Sequence, residues 1–223
     1  MLNVILSEKP WHRDMAQHLK DACGGEWVHL NSREDFTVEA LEELNPSYVF
    51  IPHWSYIIGP EIYDRYRCVI FHMTDLPYGR GGSPLQNLIA NGVPYTKISA
   101  IECGPGIDTG NVYLKSPLQL HGTAREIFER AAIVVEGMIY TIITQNPTPQ
   151  PQEGESVLFK RRRKKQSNIA EVGDITSLYD LIRMLDCEGY PAAYLTTPRW
   201  RLEFSEAELK GDTIVSTVSI KEV

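Results

Sequence analysis

Three short runs of β-branched and aromatic residues recur in the first third of the chain: residues 2–6 (LNVIL), 47–51 (SYVFI) and 67–71 (RCVIF). Each is too short for a stable helix and apolar enough to be a strand buried on both faces. Segments with helical spacing lie between the first two. Met15, Leu19 and Ala22 share one face before Gly24-Gly25, and Val38, Leu41 and Leu44 mark a second helix that Asn45-Pro46 stops. Residues 27–30 supply a further strand. Strands alternating with helices demand a mostly parallel sheet covered on both faces. Right-handed crossovers then gather the loops after the strand C-termini on one rim, where α/β proteins bind ligands.

A glycine-rich stretch follows at residues 76–84 (LPYGRGGSP), then a helix over 85–90, strands near 97–102 and 112–114, and a long helix over 124–144. The last carries Ile127, Ala131, Val134, Val135 and Met138 at helical spacing. Composition then changes. Residues 146–156 (NPTPQPQEGES) hold three prolines and read as an extended linker, which sets two expected domains, 1–150 and 151–223. The tail carries a helix near 177–185 and strands near 193–195, 201–204 and 213–220, a small α+β appendage.

No apolar run approaches the roughly 18 residues of a membrane span, so no membrane partner is expected. The first residues lack a signal-peptide pattern, and the expected compartment is the cytoplasm. Cys23, Cys68, Cys103 and Cys187 are scattered, without a zinc-binding spacing, so neither a metal nor a disulfide framework is expected. The formal net charge is −7 over 223 residues. That balance argues against a broadly basic nucleic-acid binder. The one strong charge run is residues 160–165 (KRRRKK), read here as a solvated hinge segment.

His72 stands one residue past the apolar core of its strand, on the rim, where it can serve as acid, base or charged stabiliser. Asp108 lies in residues 104–110 (GPGIDTG), whose three glycines let the backbone turn tightly and approach a ligand. Gly79, Gly81 and Gly82 flank Arg80 ahead of a helix. That placement suits an anion, although no Walker-type Lys-Ser/Thr pair follows.

Together these residues resemble a known family. Residues 71–77 (FHMTDLP), then Arg80-Gly81, then residues 106–110 (GIDTG) are similar to the pattern of the 10-formyltetrahydrofolate-dependent formyltransferases. The tail, with residues 159–162 (FKRR), 182–186 (IRMLD) and 189–193 (GYPAA), resembles the short C-terminal domain of sugar N-formyltransferases, the pseudaminic-acid-pathway type above all. The resemblance implies a Rossmann-like α/β formyltransferase core. It implies 10-formyltetrahydrofolate as the one-carbon donor and amide formation as the reaction. His72 would stabilise the oxyanion and Asp108 would orient His72 and move the amine proton. Trp54, Tyr56, Ile58, Gly104 and Asp108 would hold the donor, and Lys9, Trp11, Thr74, Arg80 and Gly81 the acceptor. The family has a catalytic Asn two residues before its His, and this chain has Ile70 there. Either Asn87, Thr74, His53 or a backbone N–H replaces it, or the site has lost strength.

The acceptor expected from the short tail is a nucleotide-linked 4-amino-dideoxy sugar on UDP or dTDP, with no nucleic-acid partner. The related sugar enzymes are often dimeric, so a homodimer is compatible. The alternatives are a methionyl-tRNA formyltransferase, whose C-terminal domain would be expected to be larger, and a folate- or nucleotide-binding module without catalysis.

Overall fold

The computed structural model describes residues 1–223. In chain order the elements are β1 (Leu2–Ser7), α1 (Met15–Cys23), β2 (Glu26–Leu30), α2 (Val38–Leu44), β3 (Tyr48–His53), α3 (Pro60–Tyr63), β4 (Cys68–His72), β5 (Tyr78–Gly81), α4 (Pro84–Ala90), β6 (Tyr95–Glu102), β7 (Val112–Gln119), α5 (Ala124–Gln145), β8 (Val157–Phe159), α6 (Ile175–Arg183), β9 (Ala193–Thr196), β10 (Trp200–Lys210) and β11 (Thr213–Glu222). The chain forms two compact units. The first comprises Met1–Gly81, Thr96–Leu118 and Glu129–Leu158; the second comprises Gly82–Tyr95, Gln119–Phe128 and Phe159–Val223.

The first unit holds a six-stranded sheet in the order β2-β1-β3-β4-β6-β7. The pairs β1–β2, β1–β3 and β3–β4 are parallel and β4–β6 is antiparallel. This is the α/β, mostly parallel, Rossmann-like arrangement expected from the alternating pattern. The apolar runs become the core strands: Val4, Ile5, Leu6, Val49, Phe50, Ile51 and Val69 are buried. Burying a side chain of this size contributes about 1.5–3 kcal/mol. Gly24 ends α1, its N–H bonding to Lys20 O. Thr37 caps α2, its Oγ1 accepting from Ala40 N–H, and Asn45 closes that helix in the left-handed conformation. Strands β1, β3 and β4 end at Ser7, His53 and His72. Ser7 pairs with His53, so these parallel strands finish on one rim.

The Pro-rich segment runs inside the first unit. Val112 and Gln150 exchange backbone hydrogen bonds of 2.7 and 2.9 Å, and Val157 N–H donates to Pro77 O at 3.3 Å. Strands β5 and β8 pair as a two-stranded ladder. Neither strand was expected: β5 lies in the glycine-rich stretch, whose alternation is hidden by small residues, and β8 has three residues.

The second unit carries the sheet β11-β10-β9, with α6 packed on β10 and β11. Asp174 caps α6, accepting from Ser177 N–H. The residues that gave the tail its resemblance have structural tasks. Arg183 Nη1 donates to Leu120 O and Gly122 O, at 2.7 and 2.9 Å, while its Nε bonds Asp180. Asp186 accepts from Glu206 N–H, and Tyr190 stacks on Phe128 with centroids 5.3 Å apart. No helix is long and apolar enough to cross a membrane.

Candidate active site

β4 delivers His72 to the rim with 7% of its surface exposed. Its Nε2 lies 2.8 Å from Gly79 O, and its Nδ1 lies 3.4 Å from Asp108 Oδ2. Both ring nitrogens therefore face acceptors.

Asp108 is fixed in turn. Its Oδ2 accepts from Gly81 N–H at 2.8 Å, which ties the 104–110 loop to β5. Its φ of 53° lies in the left-handed region, a strained position held by surrounding contacts. Gly110 explains why the loop sits this close to the sheet. A Cβ added there would stand 1.9 Å from Glu102 O. The other oxygen of Asp108, Oδ1, makes no hydrogen bond within the chain.

Arg80 is held within the chain. Its Nε and Nη2 donate to Gln152 Oε1 at 3.1 and 2.7 Å. Gln152 Nε2 donates to Asp108 O and Gly110 O, both at 2.8 Å. Composition hid Gln152 within a Pro-rich stretch, and no sequence signal set it apart from Gln145 or Gln150. Thr74 is fully buried; its hydroxyl donates to Gly79 O at 3.4 Å, and its backbone O accepts from Ser99 Oγ at 2.7 Å. Ile70 shares the face of β4 with His72 and packs on the apolar cluster beneath the sheet. An apolar side chain thus occupies the position of the family's Asn. Among its proposed replacements, Asn87 bonds Gly82 O and Lys160 O in the second unit.

The segment after β3 divides. Ile58 is buried, and it shares one apolar cluster with Trp54, Ile70 and Cys103. Trp54 packs edge-on against Phe36 and Tyr56, at 5.8 and 5.3 Å. Tyr56 is 43% exposed, and the Arg33 guanidinium lies over its ring at 4.7 Å. Gly104 borders open space, with nothing within 4 Å of a Cβ placed there. Burial pushes the Cys103 thiol up to about 11, and the nearby Asp108 charge adds to this, so it stays protonated and neutral beside the loop.

The first βα turn forms a second cluster on the rim. Lys9 Nζ stands 5.9 Å from the Trp11 ring, which packs edge-on against His12 and His53. His12 is buried, with Nδ1 2.8 Å from Ser7 Oγ, and His29 Nε2 lies 2.9 Å from Ser7 O. Burial, reinforced by neighbouring positive charge, lowers both His12 and His53 to about 3, so both are neutral. No group of three or more His, Cys, Asp and Glu side chains has the arrangement of a metal site.

Comparison with known proteins adds a second line of observation. A family profile described as methionyl-tRNA formyltransferase, C-terminal domain, matches residues 164–221. The structure of a methionyl-tRNA formyltransferase from Clostridium thermocellum is 46% identical, covers 100% of both chains and superposes with a TM-score of 0.96. A methionyl-tRNA formyltransferase from Clostridium botulinum is 28% identical over 70% of this chain and 53% of its own length. The chain spans about half to two-thirds of the length of the curated relatives it matches. The structure of a sugar N-formyltransferase from Shewanella is 16% identical over 97% of this chain and 96% of its own, with a TM-score of 0.67, a likeness of fold alone. These findings correct two expectations, the nucleotide-sugar acceptor and the absence of a nucleic-acid partner. The tail length behind the first does not separate the two activities, because the Clostridium thermocellum protein matches this chain from end to end. The net charge behind the second averages over the molecule and passes over residues 160–165.

Proposed function

This chain belongs to the formyltransferase family, and we propose that it transfers the formyl group of 10-formyltetrahydrofolate to the amino group of methionyl-tRNA. The end-to-end match at 46% identity carries this reading. The basic run 160–165 supports it. Lys160, Arg161, Arg163, Lys164 and Lys165 are exposed, and clustered cations of this kind bind phosphate backbones.

The residues of the first unit fit a flat aromatic donor. Trp54, Ile58 and Cys103 make one apolar wall, and Gly104 leaves open the space a side chain would fill. Trp54, Tyr56, Ile58 and Gly104 would hold the donor, which when bound supplies an electrophilic formyl carbon on a nitrogen leaving group. His72, nearly buried on the rim, would as imidazolium place positive charge where the carbonyl oxygen gains negative charge. Asp108 would keep that ring oriented through Oδ2, take the amine proton at Oδ1 and return it to the donor nitrogen as the bond from that nitrogen to the formyl carbon breaks. Lys9 and Trp11 stand on the same rim and would meet the acceptor end.

Incubation with 10-formyltetrahydrofolate and methionyl initiator tRNA should yield N-formylmethionine on hydrolysis of the product, detected by mass. Unchanged methionine after complete incubation, with donor intact, would refute the proposal.

A further inference from the structure

The geometry assigns Gln152 a positioning role: its amide clips the loop that carries Asp108 to Arg80. The inference deepens the reading of Asp108 given above and rests on it. Gln152 uses its hydrogen-bonding capacity in both directions. Oε1 accepts twice from Arg80, at 3.1 and 2.7 Å, and Nε2 donates twice to the loop carbonyls of Asp108 and Gly110, at 2.8 Å each. An amide is the group that suits this place, since one end must accept from a guanidinium and the other must donate to two carbonyls. The clipped loop needs such a hold. Asp108 sits at a φ of 53°, and Gly110 is pressed against Glu102 O. Such strain persists only where neighbouring contacts enforce it.

The backbone brings Gln152 to this point from two sides. Two residues earlier, Gln150 bridges Val112 at the start of β7; five residues later, Val157 bonds Pro77 beside β5. The Pro-rich segment is thus a strap across the His72–Asp108 site. Three prolines at 147, 149 and 151 restrict the strap before it reaches the clip. The contact between His72 Nδ1 and Asp108 Oδ2 is 3.4 Å, longer than a good charge-assisted hydrogen bond. A small movement of the loop would therefore break it.

The test uses Gln152→Glu, which keeps size and the Arg80 contact but replaces the donor facing two carbonyls with an acceptor. Gln152→Ala removes both ends. In the full chain, Gln152→Glu should lower kcat about 10- to 100-fold while KM for the formyl donor stays within about threefold, because the donor wall is untouched. Hydrogen exchange of the amides of residues 106–110 should speed up by at least about tenfold. Added to Asp108→Asn, Gln152→Glu should cost little more, because both act through one carboxylate. Unchanged loop exchange would overturn the role whatever the activity, and faster exchange with unchanged kcat would overturn it too. If the parent protein fails to formylate methionyl-tRNA, the proposed function falls and loop exchange alone decides the clip.

Discussion

Asp108 concentrates the chemistry of the site at one carboxylate. Its Oδ2 meets Gly81 N–H and faces His72, and its Oδ1 is left free. On the proposed mechanism, Asp108→Asn keeps the shape but removes the charge that would orient the ring and the base that would take a proton. Turnover should fall by about a hundredfold or more with the thermal midpoint nearly unchanged. Steady-state rates near the parent value would remove Asp108 from the reaction. Gly110 sets a different limit. Because a Cβ would meet Glu102 O, Gly110→Ala must push the loop outward and carry Asp108 with it. Activity and urea-unfolding stability should both fall, the second by about 1–3 kcal/mol. A fully active Gly110→Ala protein would show that the loop tolerates displacement. At this scale His72, Asp108, Arg80 and Gly81 stood out in the sequence, because charged groups among glycines on a rim are unusual. Gln152 did not, because nothing local distinguishes a clip from a linker glutamine.

At the scale of elements, the first βα turn and the end of β3 each hold one histidine as a neutral ring. His12 and His53 are each lowered to about 3, first by burial and then by nearby positive charge. In the unfolded chain each titrates near 6.5. The unfolded state therefore takes up protons that the folded state refuses as pH falls below 6.5, and stability is lost from there down towards 3. Between pH 7 and 5 each histidine should cost about 2 kcal/mol. Urea unfolding at several pH values should show this slope, and His12→Gln should flatten it by one proton. A slope equal to the parent's would place the proton uptake elsewhere. The strands and helices of the first unit were legible because their periodicity and stops are local: the run LNVIL, Gly24 after α1, Asn45-Pro46 after α2. Strands β5 and β8 were not, because each is defined by its partner across the ladder and not by its own pattern. The burial of Thr74 and the pairing of Arg80 were likewise invisible, since both depend on partners distant in sequence.

At the scale of the whole molecule, charge is better read as a map than as a sum. The chain is acidic, with a net charge of −7, yet it exposes a compact basic run at residues 160–165. If that run neutralises phosphates, the affinity for methionyl-tRNA should fall steeply with salt, by about 0.7–0.9 log units per tenfold salt for each phosphate engaged. Replacing Lys160, Arg161 and Arg163 with Gln should make the dependence shallower by about two to three phosphates. A filter-binding titration from low to high salt measures the slope, and identical slopes would assign tRNA contact to another surface. The Pro-rich segment has its own consequence at this scale. Composition invites a cut after Gln150 to free the first unit as a fragment. Such a fragment would keep all six strands of the main sheet, with His72 and Asp108 among its residues. It would lack the amide that ties the Asp108 loop to Arg80. Folding and competence would then part company, and a well-formed core with correct ligand-facing residues would turn over slowly because its strap had been left behind.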